Sequence, residues 1–172
     1  MRIERLSRAH DRSTFRCGRA ELDEWFRTAA MQAQQRNRSA RTTVLVDGHG
    51  AVVGFYSLAT HAVAYDASPR ELVKGVPRYD AVPAVRLARL AIHEDHQGQG
   101  LGERLLATAV RDVLAAAEHV GIVLMTVDAL DEAAATFSER FGFMRLAATR
   151  TRPALAARVK DLQLTFSSSR EG

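Results

Sequence analysis

The chain has a single cysteine, Cys17, so neither a disulfide framework nor a cysteine-rich zinc cluster can form within it. No apolar run reaches the length of a membrane span. Residues 1–10 are charged throughout and lack the apolar segment of a secretory leader, so a cytoplasmic protein is expected, with no membrane partner. Lysine is nearly missing: apart from Lys74 and Lys160, every one of the 24 basic residues is Arg. The net charge is only +4, yet residues 1–41 hold ten Arg against five Asp and Glu. That surface permits bidentate phosphate contacts and an RNA partner, or it is an ordinary solvated face. No internal repeat or low-complexity segment interrupts the 172 residues, of which 47% are apolar and 26% charged. The length suits one compact α/β domain over 1–166, with 167–172 as a flexible tail.

Arg2–Leu6 reads as a short strand and Glu21–Gln35 as an amphipathic helix with Leu22, Trp25, Phe26 and Ala29 on one side. Thr42–Val46 and Val52–Thr60 are β-rich and flank a turn at Asp47–Gly50, which predicts a hairpin. A short helix is expected near Arg70–Val73, a central strand over Val85–Ile92, and a long helix over Leu101–Glu118. The nearly all-apolar Val120–Val127 reads as a buried strand. Glu132–Phe141 reads as a short helix closed by Gly142, followed by strands at Phe143–Ala147 and Leu162–Phe166.

The segment richest in chemical information is Gln97-Gly98-Gln99-Gly100-Leu101-Gly102, between the central strand and the long helix. Glycines allow positive φ and close approach of backbone to ligand, and a helix start offers unpaired N–H groups and a positive dipole end to a phosphate. Two familiar phosphate loops are excluded. A Walker loop would end Gly-Lys-Ser/Thr, whereas this one continues Gly102-Glu103-Arg104. The dinucleotide fingerprint needs a different glycine rhythm.

This turn resembles the Gln/Arg-x-x-Gly-x-Gly/Ala signature of the GCN5-related N-acetyltransferase (GNAT) family. The resemblance implies an α/β fold with a central mixed, mostly antiparallel sheet flanked by helices. It also implies acetyl-CoA (coenzyme A) as cofactor. The pyrophosphate would rest on Gln97, Gly98, Gln99, Gly100, Leu101 and Gly102. The pantetheine arm would lie along Leu90, Ala91 and Ile92, with Leu90 orienting the acetyl carbonyl and Phe137 against the coenzyme.

A narrower resemblance rests on Phe15-x-Cys17-Gly18-x-x-x-Leu22-Asp23-x-Trp25, on Val53-Gly54-Phe55-Tyr56-Ser57-Leu58-Ala59 and on Arg86-Leu87-Ala88-Arg89-Leu90-Ala91-Ile92. These words are similar to those of the acetyltransferase toxins of bacterial toxin–antitoxin pairs. That likeness implies acetylation of the α-amine of aminoacyl-tRNA, a ribbon-helix-helix antitoxin partner and a homodimer. Other readings stay open: an acetyltransferase for a small amine or a protein, or a catalytically weak coenzyme-binding partner protein.

Acetyl transfer to an amine needs a deprotonated nucleophile, a cradle for the developing oxyanion and a proton for the departing thiolate. A model α-amine titrates near ~7.7–8.0, so a strong protein base is not required. Asp128 either faces the site or caps the Glu132–Phe141 helix. The family usually places its acid as Tyr in Phe-Tyr-x-x-Phe-Gly-Phe, but this chain reads Phe137-Ser138-Glu139-Arg140-Phe141-Gly142-Phe143. Ser138 is the candidate catalytic residue there, acting through a water or by holding the thiolate, with Tyr65 or Tyr79 as displaced alternatives. Arg86, Arg89, Arg78 and Lys74 are candidate phosphate contacts, or else solvated sheet-edge residues or internal ion pairs. Trp25 and Phe15 are either core or a stacking platform, Cys17 a buried filler, Tyr56 a strand residue, and His93 and His96 either near-phosphate or capping groups. No metal site is expected.

Overall fold

The computed structural model describes residues 1–78, 81–147 and 152–168. Its helices are α1 (Ala20–Thr28), α2 (Ala30–Gln35), α3 (Arg70–Val73), α4 (Leu101–Ala117), α5 (Glu132–Glu139) and α6 (Val159–Ser168). Its strands are β1 (Arg2–Arg5), β2 (Arg41–Val46), β3 (Val52–Ala64), β4 (Ala81–Ile92), β5 (Leu124–Asp128), β6 (Met144–Arg145) and β7 (Ala154–Arg158). Hydrogen bonds link the strands in the order β1-β2-β3-β4-β5-β7-β6. The β4–β5 pair is parallel, whereas β1–β2, β2–β3, β5–β7 and β6–β7 are antiparallel. A mixed, mostly antiparallel sheet with helices is therefore the fold class, as the sequence implied. The residues gather into two compact units, Met1–Ala59 with Ala88–Ala109, and Thr60–Leu87 with the chain from Val110 onward. The chain of β3, β4 and α4 continues from one into the other.

In the first unit, β1 and β2 pair from Arg2↔Val46 to Arg5↔Thr43, and β2 returns into β3 through the expected hairpin. Asp47 closes that turn: its Oδ1 accepts from the amides of His49 (2.8 Å) and Ala51 (2.9 Å). The core is aromatic. The Phe26 and Phe55 rings stack at 4.2 Å, and Phe15 meets Phe26 edge-on at 4.9 Å. The helix expected over Glu21–Gln35 is two helices, because the backbone leaves ideal helical angles at Ala29 (φ −108°, ψ −23°). The break has a tertiary cause. It lets buried Gln34 donate to the Leu6 carbonyl (2.6 Å) and accept from the Thr42 amide (2.9 Å), pinning α2 to β2.

In the second unit, β4 and β5 run in register from Ala84↔Leu124 to Leu87↔Val127. β7 follows antiparallel to β5. Val63, Leu72, Val73, Val82, Ala84, Leu124 and Ala156 form its core, and the expected Arg70–Val73 helix contributes to it. The strand expected over Val120–Val127 begins only at Leu124. Val120 is 60% exposed and its amide bonds the Ala116 carbonyl, so it belongs to the end turn of α4.

One expectation is overturned outright: Leu162–Phe166 is part of α6, not a strand. An alternating strand would bury Leu164, which is instead 70% exposed, while Val159 and Leu162 are buried at helical spacing and Phe166 stacks on Phe141 at 5.9 Å. The strand nearest this stretch is β7, centred eight residues before the expected segment and composed largely of alanine. α6 runs through Ser168, two residues into the expected tail.

Candidate active site

The end of β4 carries the residues expected to meet a coenzyme. The register with β5 ends at Leu87↔Val127, and β4 continues beyond it to Ile92. Leu90 is half-buried, and Ala91 and Ile92 are buried. Gly54 of β3 passes so close that a Cβ there would lie 2.7 Å from Ile92 Cδ1 and 3.1 Å from the Ala91 carbonyl. A side chain at Gly54 would therefore push on this part of the strand.

A single 3₁₀ turn, Glu94–His96, separates β4 from the glycine segment. His93 Nδ1 accepts from the Asp95 amide (3.3 Å), the capping alternative of the sequence reading. The Glu94 amide donates to the Arg16 carbonyl (2.8 Å). Gln97 Nε2 donates to the carbonyls of Cys17 and Ile92, both at 2.9 Å. Gly98 (φ +73°) and Gly100 (φ +74°) both adopt left-handed backbone. A Cβ on either would meet nothing within 4 Å, so the turn presents open backbone rather than packed side chains. α4 starts at Leu101, where the first amides of a helix have no partner within it. Positive-φ glycines, open space and a helix start in succession fit a phosphate group.

The remaining candidates of this unit have structural occupations. Trp25 packs with the Arg89 guanidinium 4.1 Å over its ring and Phe55 stacked at 6.0 Å, and it lies against the aromatic core. Phe15 is core, and Tyr56 is fully buried. Cys17 is buried as well, and burial together with the Asp23 side chain pushes its thiol up to about 11. Such a thiol is no nucleophile at neutral pH.

In the second unit, α5 begins with a side-chain cap, but the cap is Asp131, whose carboxylate accepts from the Ala134 amide at 2.9 Å. Asp128 is thus free of that task. Its Oδ2 accepts a hydrogen bond from Arg86 Nη1 at 3.2 Å, which places Arg86 in an internal ion pair. Asp128 also lines a cavity of about 360 Å³ with His61, Thr126, Glu132, Arg145 and Arg152. Thr126 and this cavity went unnoticed in the sequence. The available signal was that Thr126 and Asp128, two apart on an otherwise apolar strand, must share one face.

Ser138 is 4% exposed, and its hydroxyl donates to the Ala134 carbonyl of its own helix at 3.0 Å. Phe137 is half-buried, with its ring 5.2 Å from that of Phe141. The Tyr65 hydroxyl lies 3.5 Å from the Val76 carbonyl. Tyr79 falls outside the described residues. Arg78 pairs with Asp66 at 3.0 Å, and Lys74 is exposed. Arg145 binds Glu132 (2.8 Å) and Glu139 (2.7 Å), which holds the Glu132 carboxyl below its usual range. Among the described residues no cluster of metal-ligating side chains occurs, and no helix is long and apolar enough to cross a membrane.

Comparison with known proteins decides the family. The family model "Acetyltransferase (GNAT) domain" matches residues 38–145. The chain belongs to the GNAT acetyltransferase family. A relative from Mycobacterium tuberculosis (strain ATCC 25618 / H37Rv), described as a tRNA-acetylating toxin, is 35% identical over 139 residues, 81% of each chain. AtaT complexed with acetyl-methionyl-tRNAfMet superimposes with a TM-score of 0.86 at 33% identity, covering 96% of this chain and 98% of that one. A tyrosine-to-phenylalanine variant of the AtaT toxin, bound to the C-terminus of the antitoxin AtaR and to acetyl-CoA, gives a TM-score of 0.79 at 30% identity. It covers 96% of this chain and 98% of that one. The GNAT match spans both the end of β4 and the Gln97–Gly102 turn.

Proposed function

We propose that this protein transfers the acetyl group of acetyl-CoA to the α-amine of aminoacyl-tRNA and thereby arrests translation. The observation that carries this reading is the similarity, over nearly the whole of both chains, to a toxin solved with an acetylated aminoacyl-tRNA. The bound donor supplies a thioester. The chain's own part is to hold and orient it. Gln97, Gly98, Gln99, Gly100, Leu101 and Gly102 take the pyrophosphate with backbone amides and the α4 dipole. Leu90, Ala91 and Ile92 offer an edge beyond the β5 ladder to the pantetheine arm, with the Leu90 amide at the acetyl carbonyl and Phe137 against the coenzyme.

The thiolate needs a proton as it leaves. Ser138 stands where the family carries Tyr, and its proton is engaged by Ala134. Its oxygen retains acceptor lone pairs, so it serves by orienting a water that gives the proton rather than as an acid itself. The nucleophile requires little help, since a model α-amine is partly neutral near ~7.7–8.0.

The arginine-rich first unit offers phosphate contacts to the tRNA, which makes acceptor binding fall steeply with salt. An antitoxin is the second partner, of ribbon-helix-helix type, and the toxin works as a homodimer in the cytoplasm, where charged tRNA is found. Protein and acetyl-CoA added to cell-free translation should stop it while acetylated α-amines accumulate on charged tRNA. Arrest without acetylation, or no arrest at saturating coenzyme, would falsify the reading.

A further inference from the structure

One cavity in the second unit contains a polar group that the fold leaves unsatisfied. Thr126 is 2% exposed, lines the cavity, and its Oγ1 has no hydrogen-bond partner. A buried hydroxyl without a partner costs stability, and it persists where a ligand or water completes it. Two residues along β5, on the same face, Asp128 lines the same cavity. Its Oδ2 is held by Arg86, the residue across the ladder from Thr126, whereas its Oδ1 has no partner among the described residues. Much of the remaining wall is small and apolar: Ala62, Ala64, Ala67, Ala147 and Ala154.

We propose that this cavity receives the aminoacyl group of the acceptor, with Thr126 Oγ1 and Asp128 Oδ1 hydrogen-bonded to it and Arg86 as a positioning residue for Asp128. The inference rests on the reading of the protein as an aminoacyl-tRNA acetyltransferase and names the residues that hold its acceptor. The pairing with Arg86 has a chemical purpose. A lone carboxylate beside an α-amine stabilises the ammonium form, which cannot attack a thioester. A carboxylate already neutralised by a guanidinium still accepts an N–H hydrogen bond but stabilises that cation much less. Arg86 therefore keeps the amine reactive at neutral pH while Asp128 aims it. Among the described residues, the other charged and titratable groups lining the cavity are His61 from β3, Glu132 from α5, Arg145 from β6 and Arg152 ahead of β7. Glu132 is itself bound by Arg145.

The test uses the full chain, radiolabelled acetyl-CoA and a panel of purified aminoacyl-tRNAs, with kcat and KM measured from pH 6 to 9. Thr126→Val removes the orphan hydroxyl at constant shape. It should lower kcat/KM for the preferred acceptor about tenfold, through KM, while the melting temperature holds or rises. A merely structural threonine would not produce that combination. Thr126→Ser should restore the acceptor constant. Asp128→Asn should lower kcat/KM with coenzyme binding by calorimetry unchanged. Arg86→Met leaves Asp128 unneutralised and should move the acidic limb of the kcat/KM profile up by about one pH unit. Wild-type constants and an unmoved pH profile in all three variants, with the wild type active, overturn the inference alone. A wild type that binds coenzyme and acetylates no member of the panel overturns the reading beneath it as well.

Discussion

Gln97 holds the carbonyl of Cys17, eighty residues earlier in the chain, at 2.9 Å, and with the same Nε2 it holds the carbonyl of Ile92 at 2.9 Å. The first residue of the glycine segment is therefore a clamp. It ties the N-terminal loop and the end of β4 to the start of the turn. Gln97→Ala abolishes both bonds and leaves two carbonyls short of a donor. The expected loss is about 1–3 kcal/mol of stability, read by denaturant unfolding. Coenzyme affinity should fall about tenfold by calorimetry, because the turn loses its anchor.

The two left-handed glycines give a cleaner separation of fold from binding. Gly98 and Gly100 sit at φ +73° and +74°, and a Cβ on either meets no atom within 4 Å. Alanine there causes no clash, only the strain of a left-handed conformation, about 1–2 kcal/mol each. The turn can relieve that strain by turning its amides away from the phosphate position. Gly100→Ala should cost about 1–2 kcal/mol of unfolding free energy and a larger factor in coenzyme binding. Equal effects on both would mean that the glycines serve the chain reversal alone.

What the sequence disclosed was what local chemistry decides. Asp47–Gly50 announces a hairpin through its turn residues, and Asp47 closes that turn. Gly98 and Gly100 announce a turn of left-handed backbone, which glycine adopts without steric cost. What stayed hidden depends on distant partners. The break at Ala29 is made by Gln34 reaching Leu6 and Thr42. β7 is largely alanine, a weak strand former, and is a strand because β5 and β6 pair with it. α6 was mistaken for a strand because a short apolar run of five residues carries no decisive period. The cavity of the second unit was only partly legible: Thr126 and Asp128 share one strand face, but His61, Glu132 and Arg152 join them only in the folded chain.

The Cys17 thiol supplies a test of burial in the first unit. Its folded value of about 11 lies above the ordinary 9.0, chiefly through burial. A raised value means that the neutral thiol is the form the fold accommodates. The stability it contributes is complete below pH 9.0, and is lost as the pH rises through about 11, because the unfolded thiol ionises first. Iodoacetamide at pH 8 should modify native protein far more slowly than denatured protein. Cys17→Ala should flatten the fall in melting temperature between pH 9 and 11. Rapid labelling of the native state would place the thiol at the surface.

Under the proposed acetyl transfer, Ser138 bears on how the thiolate is protonated. Its hydroxyl proton lies on the Ala134 carbonyl, so the residue offers an acceptor to the site but not an acid. If its task is to orient a proton-giving water, Ser138→Ala removes one hydrogen bond, worth about 0.5–1.5 kcal/mol, and acetyl transfer should slow by about tenfold or less. If instead the hydroxyl were the acid, the loss would be the ~10²–10⁴-fold typical of general acid catalysis. Single-turnover acetylation separates the two, because it isolates the chemical step from coenzyme binding and product release. Ser138→Tyr sharpens the contrast. A phenol is a far better proton donor, but it must enter a site only 4% exposed, which costs about 1–3 kcal/mol of overpacking unless α5 shifts. A less stable variant that transfers acetyl faster, at unchanged coenzyme affinity, would show that thiolate departure limits the natural protein. A less stable variant with no gain in rate would mean that departure is already fast with water as the acid, and that the missing tyrosine costs this chain little.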